Sequence, residues 1–133
     1  MDLKSKTLRS SIDLFVELFY DHFFEQTFEV AHIFRNTQIG SQKEEFKTSM
    51  LKILDHEEDL SKLNSYFNDL GLRHMCYEVS ERHYNLAKAS FIYALEKTYD
   101  VMWSDTLRHE WEAVLDKISM QMIEGAKRVD NAS

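Results

Sequence analysis

The sequence contains no proline, only three glycines and a single cysteine. Turns between short strands depend on proline and glycine, so their scarcity excludes a fold of many short strands and favours long helices. The lone cysteine, Cys76, cannot form an internal disulfide, which fits a reducing compartment. Positive charge is also scarce, because 16 Lys and Arg stand against 23 Asp and Glu, a formal net charge of −7. Such a surface would repel a phosphate backbone, and we therefore expect no nucleic-acid partner.

Long apolar runs are absent as well. No run approaches the ~20 residues that a membrane-spanning helix needs, and the polar segment Met1 to Arg9 has no apolar region typical of a signal peptide. We therefore expect a cytoplasmic protein that does not enter a membrane. Hydrophobic residues make up 44% and aromatic residues 13% of the 133 positions. That composition excludes a disordered chain and predicts one domain over residues 1–133.

Apolar residues recur at helical spacing along most of the chain, which predicts an all-α fold. The first strong helix is expected from about Ser11 to Glu25. A capping box of Ser41 and Glu44 predicts that the next helix begins at Ser41. Ser80 and Ser104 are expected to cap two later helices. The apolar stripe of the last helix comprises Leu107, Trp111, Leu115, Ile118 and Met122.

The histidines raise the question of a metal site. They are His22, His32, His56, His74, His83 and His109. A zinc site on a helix needs two such ligands three or four residues apart, and no pair has that spacing. His74 and Cys76 are two residues apart and would diverge on a helix. A haem iron needs only one protein ligand, which a single histidine satisfies.

An ordered set of residues resembles a known family between about residues 10 and 126. The residues that carry the resemblance are Leu18-Phe19-Tyr20, Phe34, Ser41-Gln42, Phe46, Leu70-Gly71-Leu72-Arg73-His74, Val79, His83-Tyr84 and Trp111. This set resembles bacterial single-domain globins, the relatives of Vitreoscilla haemoglobin and of the haem domain of flavohaemoglobins. The resemblance implies a globin fold, a three-over-three helical sandwich, and a haem b (iron protoporphyrin IX) cofactor.

The same resemblance implies roles around the haem. His74 would be the proximal iron ligand, with its second ring nitrogen donating to a backbone carbonyl near Leu70. Phe34 would stack on the porphyrin, and Val79 would pack against the haem from the proximal side. Leu70 lies four residues before His74, at the spacing that places two residues on one helix face.

On the distal side the resemblance implies that Tyr20 and Gln42 hydrogen-bond to the gas ligand, which predicts high oxygen affinity. Phe46 would fill space above the iron. Alternative interpretations stay open at this point: Tyr20 as a core tyrosine bonded to a carbonyl, and Gln42 as a solvated first-turn residue. Phe34 and Phe46 would be buried in either case.

Two features depart from the family pattern. Only about ten residues precede the first strong helix, so the family's first helix is expected to be abbreviated or missing, and a homodimer is one way to cover the surface left exposed. Tyr84 stands where the family's proximal network has its tyrosine. The glutamate position of that network is Ala126, and the nearest acid, Glu124, would face elsewhere because two residues turn a helix by roughly 200°.

The resemblance implies a globin that reversibly binds oxygen, and also carbon monoxide and nitric oxide, at a five-coordinate haem iron. Nitric oxide dioxygenation is an enzymatic alternative, which would need an external reductase because no Gly-rich dinucleotide fingerprint is present. A haem-based gas sensor and a haem-free helical interaction domain are further alternatives.

Overall fold

A computed structural model of the chain describes residues 2–26, 38–75 and 81–132. Within these ranges all regular structure is helical, which confirms the all-α prediction and the abbreviated first helix. The α-helices are α1 (Ser5–Ser10), α2 (Ile12–Gln26), α3 (Ile39–Asp55), α4 (Asn64–Met75), α5 (Glu81–Tyr99) and α6 (Asp105–Ala132), with 3-10 turns at Leu60–Leu63 and Asp100–Met102. In the described part of the chain, no helix combines the length and apolar character needed to cross a membrane.

Two helix pairs form the framework of the fold. The longest shared surface joins α4 to α6, and the next joins α2 to α5, with α3 packed on α2. The expected stripe on α6 is confirmed, because Leu107, Trp111 and Leu115 are all buried. Trp111 lies at the centre of the core, wholly buried and 5.7 Å from the ring of Phe91 on α5. A cavity lies between the two helix pairs and is described below.

The helix boundaries test the capping predictions. Ser104 is confirmed as the cap of α6, since its Oγ accepts a hydrogen bond from the backbone N–H of Leu107 at 3.1 Å. Ser41 is wrong as a cap, because α3 begins at Ile39 and its first bond runs from the N–H of Gln42 to the carbonyl of Gln38, at 3.1 Å. That bond places Ser41 inside the first turn. Ser80 lies outside the described residues.

The N-terminal segment is anchored deep in the core. Leu3 and Leu8 are wholly buried. The Tyr99 hydroxyl donates to the carbonyl of Leu3 at 2.5 Å, and the indole N–H of Trp111 donates to the Tyr99 oxygen at 3.3 Å. The chain's own first residues therefore cover apolar surface for which the sequence suggested a homodimer.

Candidate functional site

A cavity of about 190 Å³ lies where α2, α3, α4, α5 and α6 meet. Most of its lining is apolar or aromatic, including Phe19, Phe23, Phe46, Met50, Phe67, Leu70, Phe91, Leu115 and Met122. Its polar lining includes Tyr20, Gln42, Glu45, His83, Tyr84 and Lys88. An apolar hollow with a few polar groups is the usual form of a cofactor site.

Tyr20 supplies a protonated hydroxyl to this cavity. It is 5% exposed on the inner face of α2, and its hydroxyl donates to the backbone carbonyl of Gln42 at 3.4 Å. Burial, with a smaller contribution from the negative charge of Glu45, raises the pKa of Tyr20 well above its ordinary value. The phenol therefore stays a hydrogen-bond donor at any physiological pH. A bond of 3.4 Å is long, so a ligand in the cavity can replace the carbonyl at little cost.

Phe46 lines the cavity from α3 and belongs to a cluster of aromatic rings. It stacks on Phe19 with ring centroids 4.5 Å apart, and it meets Tyr20 and Phe91 edge-on at 5.6 and 6.0 Å. Phe15 adds a stacked contact at 5.8 Å. One side of the cavity is thus built from ring contacts.

Leu70 from α4 and Tyr84 from α5 also line the cavity. Burial raises the pKa of the half-buried Tyr84. Glu124 is exposed and shares with Tyr84 a surface groove of about 470 Å³ between α5 and α6. No hydrogen bond joins the two side chains in the part of the chain that the structure describes, so this geometry gives no tyrosine–glutamate network.

The structure describes no side-chain contacts for three of the expected site residues. His74 lies in the last turn of α4, and its side chain, like Phe34 and Val79, lies outside the described residues. Of the eight residues expected around the cofactor, the structure gathers the other five around one cavity: Tyr20, Gln42, Phe46, Leu70 and Tyr84.

The sequence interpretation assigned no role at the site to three polar residues of the lining, Glu45, His83 and Lys88. His83 is only 8% exposed, and Lys88 lines the cavity while its ammonium pairs with Asp116 at 2.7 Å. Helical spacing carried a usable signal for two of them, because Glu45 follows Gln42 by three residues and Lys88 follows Tyr84 by four. His83 was among the residues that carry the family resemblance, but no role was assigned to it.

Comparison with known protein families matches residues 18–122 to the family described as Globin. The match covers most of the chain, with the whole of α3, α4 and α5 and the larger parts of α2 and α6. The chain therefore belongs to the globin family, and this family implies a haem cofactor. No curated protein matches the chain at a significant level.

The cavity lining suits a haem in its chemistry. Aromatic and aliphatic side chains fit a flat apolar ring, and Lys88 at the edge offers a cation for an acidic substituent. The volume of about 190 Å³ is below the roughly 300–1,000 Å³ of typical ligand pockets. A haem therefore requires side chains to move apart, and the ring contacts of Phe46 can shift without breaking hydrogen bonds.

Proposed function

We propose that this globin reversibly binds oxygen and other diatomic gases at a five-coordinate haem b iron, in the manner of bacterial single-domain globins. The observation that carries the proposal is the buried, protonated hydroxyl of Tyr20 beside Gln42 in a largely apolar cavity. Haem, when bound, supplies a ferrous iron that takes a diatomic ligand. The remaining chemistry belongs to the protein's own side chains.

We assign His74 as the proximal ligand. Leu70, four residues earlier on α4, lines the cavity, and residues four apart share one face of a helix. A histidine held by a well-packed helix presents a neutral ring nitrogen to the iron and uses the other nitrogen as a donor. Phe34 and Val79 are proposed to pack on the two sides of the porphyrin.

Tyr20 and Gln42 are proposed to hold the gas ligand. The phenol donates a hydrogen bond to the ligand without losing its proton, because burial favours its neutral form. The side-chain amide of Gln42 offers a second donor from the first turn of α3. In an apolar cavity both bonds are stronger than in water, so oxygen release is expected to be slow. Phe46 restricts the space for larger ligands.

Nitric oxide dioxygenation is the second candidate function. It needs electrons from a separate reductase, and one observation supports a route for these electrons toward the cavity. Tyr84, Lys88 and Ser119 line both the cavity and the α5–α6 groove, so the groove lies next to the cavity. A reductase that docks on this groove would approach the proximal side. The expected outcome is catalytic nitric oxide consumption only when a reductase is added.

The deciding experiment is an absorption spectrum of the purified protein, as isolated, reduced, and reduced under oxygen or carbon monoxide. We expect a strong Soret band that shifts with each gas and is lost or altered in His74→Ala. The exposed His109→Ala variant on α6 is the matched control and should retain the wild-type spectrum. Tyr20→Phe should release oxygen about tenfold faster or more, the effect of losing one hydrogen bond of ~1.4 kcal/mol. A colourless protein after haem addition would overturn the proposal.

A further inference from the structure

Two glycines allow α4 and α6 to touch through their backbones. A Cβ added at Gly71 would lie 2.6 Å from the carbonyl carbon and 2.7 Å from the Cα of Met122. A Cβ added at Gly125 would lie 2.6 Å from the Cα and 2.7 Å from the carbonyl carbon of Asn68. Ordinary carbon–carbon contacts lie at ~3.5–4.0 Å. The obstructing atoms are backbone atoms, which cannot rotate away as a side chain does.

A polar contact beside the glycines fixes the register of the same two helices. Asn68 is 6% exposed, and its amide nitrogen donates to the backbone carbonyl of Gln121 at 2.7 Å and to its side-chain oxygen at 3.1 Å. A buried amide bonded to the facing helix resists both sliding and rotation. The crossing is therefore fixed in distance by glycines and in register by an asparagine.

Helix α4 continues without interruption through Gly71 to Met75. Gly71 is a point where the backbone of α4 lies against α6, and His74 follows it within one turn of the same helix. Three residues of helix span only ~4.5 Å along the axis.

We infer that Gly71 and Gly125 are positioning residues for the haem iron, because they set where α4 carries His74 relative to the cavity. This inference rests on the proposed ligation by His74. An alanine at either site forces α4 and α6 apart by roughly 1 Å to restore ordinary contacts. Misplacement by about 1 Å is enough to disturb a functional constellation.

The third glycine provides a matched control. Gly40 lies in the first turn of α3, and a Cβ there would meet nothing within 4 Å. Gly71→Ala and Gly40→Ala are therefore the same chemical change on two helices that line the cavity. The added methyl group collides with backbone atoms at position 71 and meets no atom at position 40. The free site should gain slightly in helix stability, because alanine favours helix over glycine.

The experiment compares wild type, Gly71→Ala and Gly40→Ala by the iron–histidine stretching band of the reduced protein in resonance Raman spectra. Haem transfer to an excess of a haem-accepting apoprotein gives a second readout. We expect a shifted band and about 10–100-fold faster haem loss in Gly71→Ala, the range seen when support of a metal ligand is removed. Gly40→Ala should match wild type in both measurements. An unshifted band and unchanged haem loss in Gly71→Ala would overturn the inference.

Further variants separate positioning from simple loss of stability and from failure of the proposed ligand. Leu8→Ala destabilises the protein from α1, which packs on α2, α3 and α5, and it should leave the band unshifted. Asn68→Ala loosens the register of the two helices without inserting an atom, and it should shift the band less than Gly71→Ala. This variant keeps the test available if Gly71→Ala does not fold. A band that survives in His74→Ala refutes the ligand assignment. A band lost in His74→Ala but unshifted in Gly71→Ala and Asn68→Ala refutes the positioning inference alone.

Discussion

The side of the cavity formed by α2 and α3 is built from aromatic rings, whereas α4 and α6 on the other side meet through bare backbone. Phe19 and Phe46 stack at 4.5 Å between centroids, and each touches further rings. Gly71, by contrast, brings its backbone directly against the backbone of Met122, with no side chain between these two residues. The contact between the aromatic rings is adjustable, because rings can slide over one another. The contact at Gly71 is not, because close-packed backbones cannot slide in this way.

This difference indicates which side accommodates a cofactor. Ring pairs contribute ~0.5–1.5 kcal/mol each beyond their buried area, and they can re-form at new distances. We therefore expect the aromatic side to move when haem enters and the glycine side to hold the proximal helix still. The following experiments test that contrast, in order of decreasing expected effect.

Removing the central ring should have the largest effect. Phe19 contacts Tyr20, Phe23, Phe46 and Phe91, so Phe19→Ala should lower the free energy of unfolding by ~3–5 kcal/mol. Leu14→Ala on the same helix removes a side chain that is 52% exposed and should change stability by less than ~0.5 kcal/mol. Urea unfolding of the haem-free protein measures both. Equal effects would mean that the rings are not the structural centre of this side.

Removing the asparagine on the glycine side should have a smaller effect. Asn68→Ala takes away the two hydrogen bonds to Gln121 and should cost ~1–3 kcal/mol. Asn85 on α5 is exposed, and Asn85→Ala is the control with little expected change. Hydrogen exchange of the α4 amides reports the loss locally. A global change without extra exchange in α4 would argue against a register-fixing role.

Alkaline pH should lower the stability of the protein, because Tyr20 on the aromatic side and Tyr99 in the core are both buried. Burial raises the pKa of Tyr20, and burial raises that of Tyr99 in the core beyond it to about 12. An unfolded tyrosine titrates near 10, so the stability that these phenols provide is complete below pH ~10 and falls as pH rises further.

The measurement is the urea midpoint of the haem-free protein at pH 9, 10 and 11. Each such tyrosine adds a slope of at most ~1.4 kcal/mol per pH unit. Tyr99→Phe should be less stable at neutral pH, because it loses the bond to Leu3, but its midpoint should fall less steeply above pH ~10. A slope equal to that of wild type would contradict the assignment for Tyr99.

The smallest effect is expected at the edge of the cavity. Lys88 and Asp116 form a partly exposed ion pair at 2.7 Å, so Lys88→Met should change stability by ~0–1 kcal/mol. Lys117→Met, at an exposed position on α6, is the control. If Lys88 holds an acidic edge of the haem, its variant alone should lose haem faster at low salt, and 1 M salt should reduce the difference.

Local patterns predicted much of the fold. The spacing of Leu107, Trp111 and Leu115 identified the buried face of α6, and Ser104 marked where that helix begins. These signals succeed because cap and stripe depend on neighbours within one or two turns. Ser41 failed for the same local reason, since the residues before it, including Gly40, extend the helix by two positions.

The site was predicted through its family resemblance more than through its chemistry. That resemblance brought Tyr20, Gln42 and Phe46 to one cavity from separate parts of the sequence. It gave no indication that Gly71 touches Met122, because such an approach depends on how two distant helices cross. Leu3 and Leu8 were also missed, since two leucines in a short polar segment make no periodic pattern.

The bond from Tyr99 to Leu3 sets an order for the newly made chain. The two residues are 96 positions apart, and Trp111, which steadies the same hydroxyl, comes still later. Leu3 leaves the ribosome first and has no partner until α5 and the start of α6 have followed it. A segment that is synthesised well before its partners thus docks late, and until then its leucines are open to chaperones or to another chain.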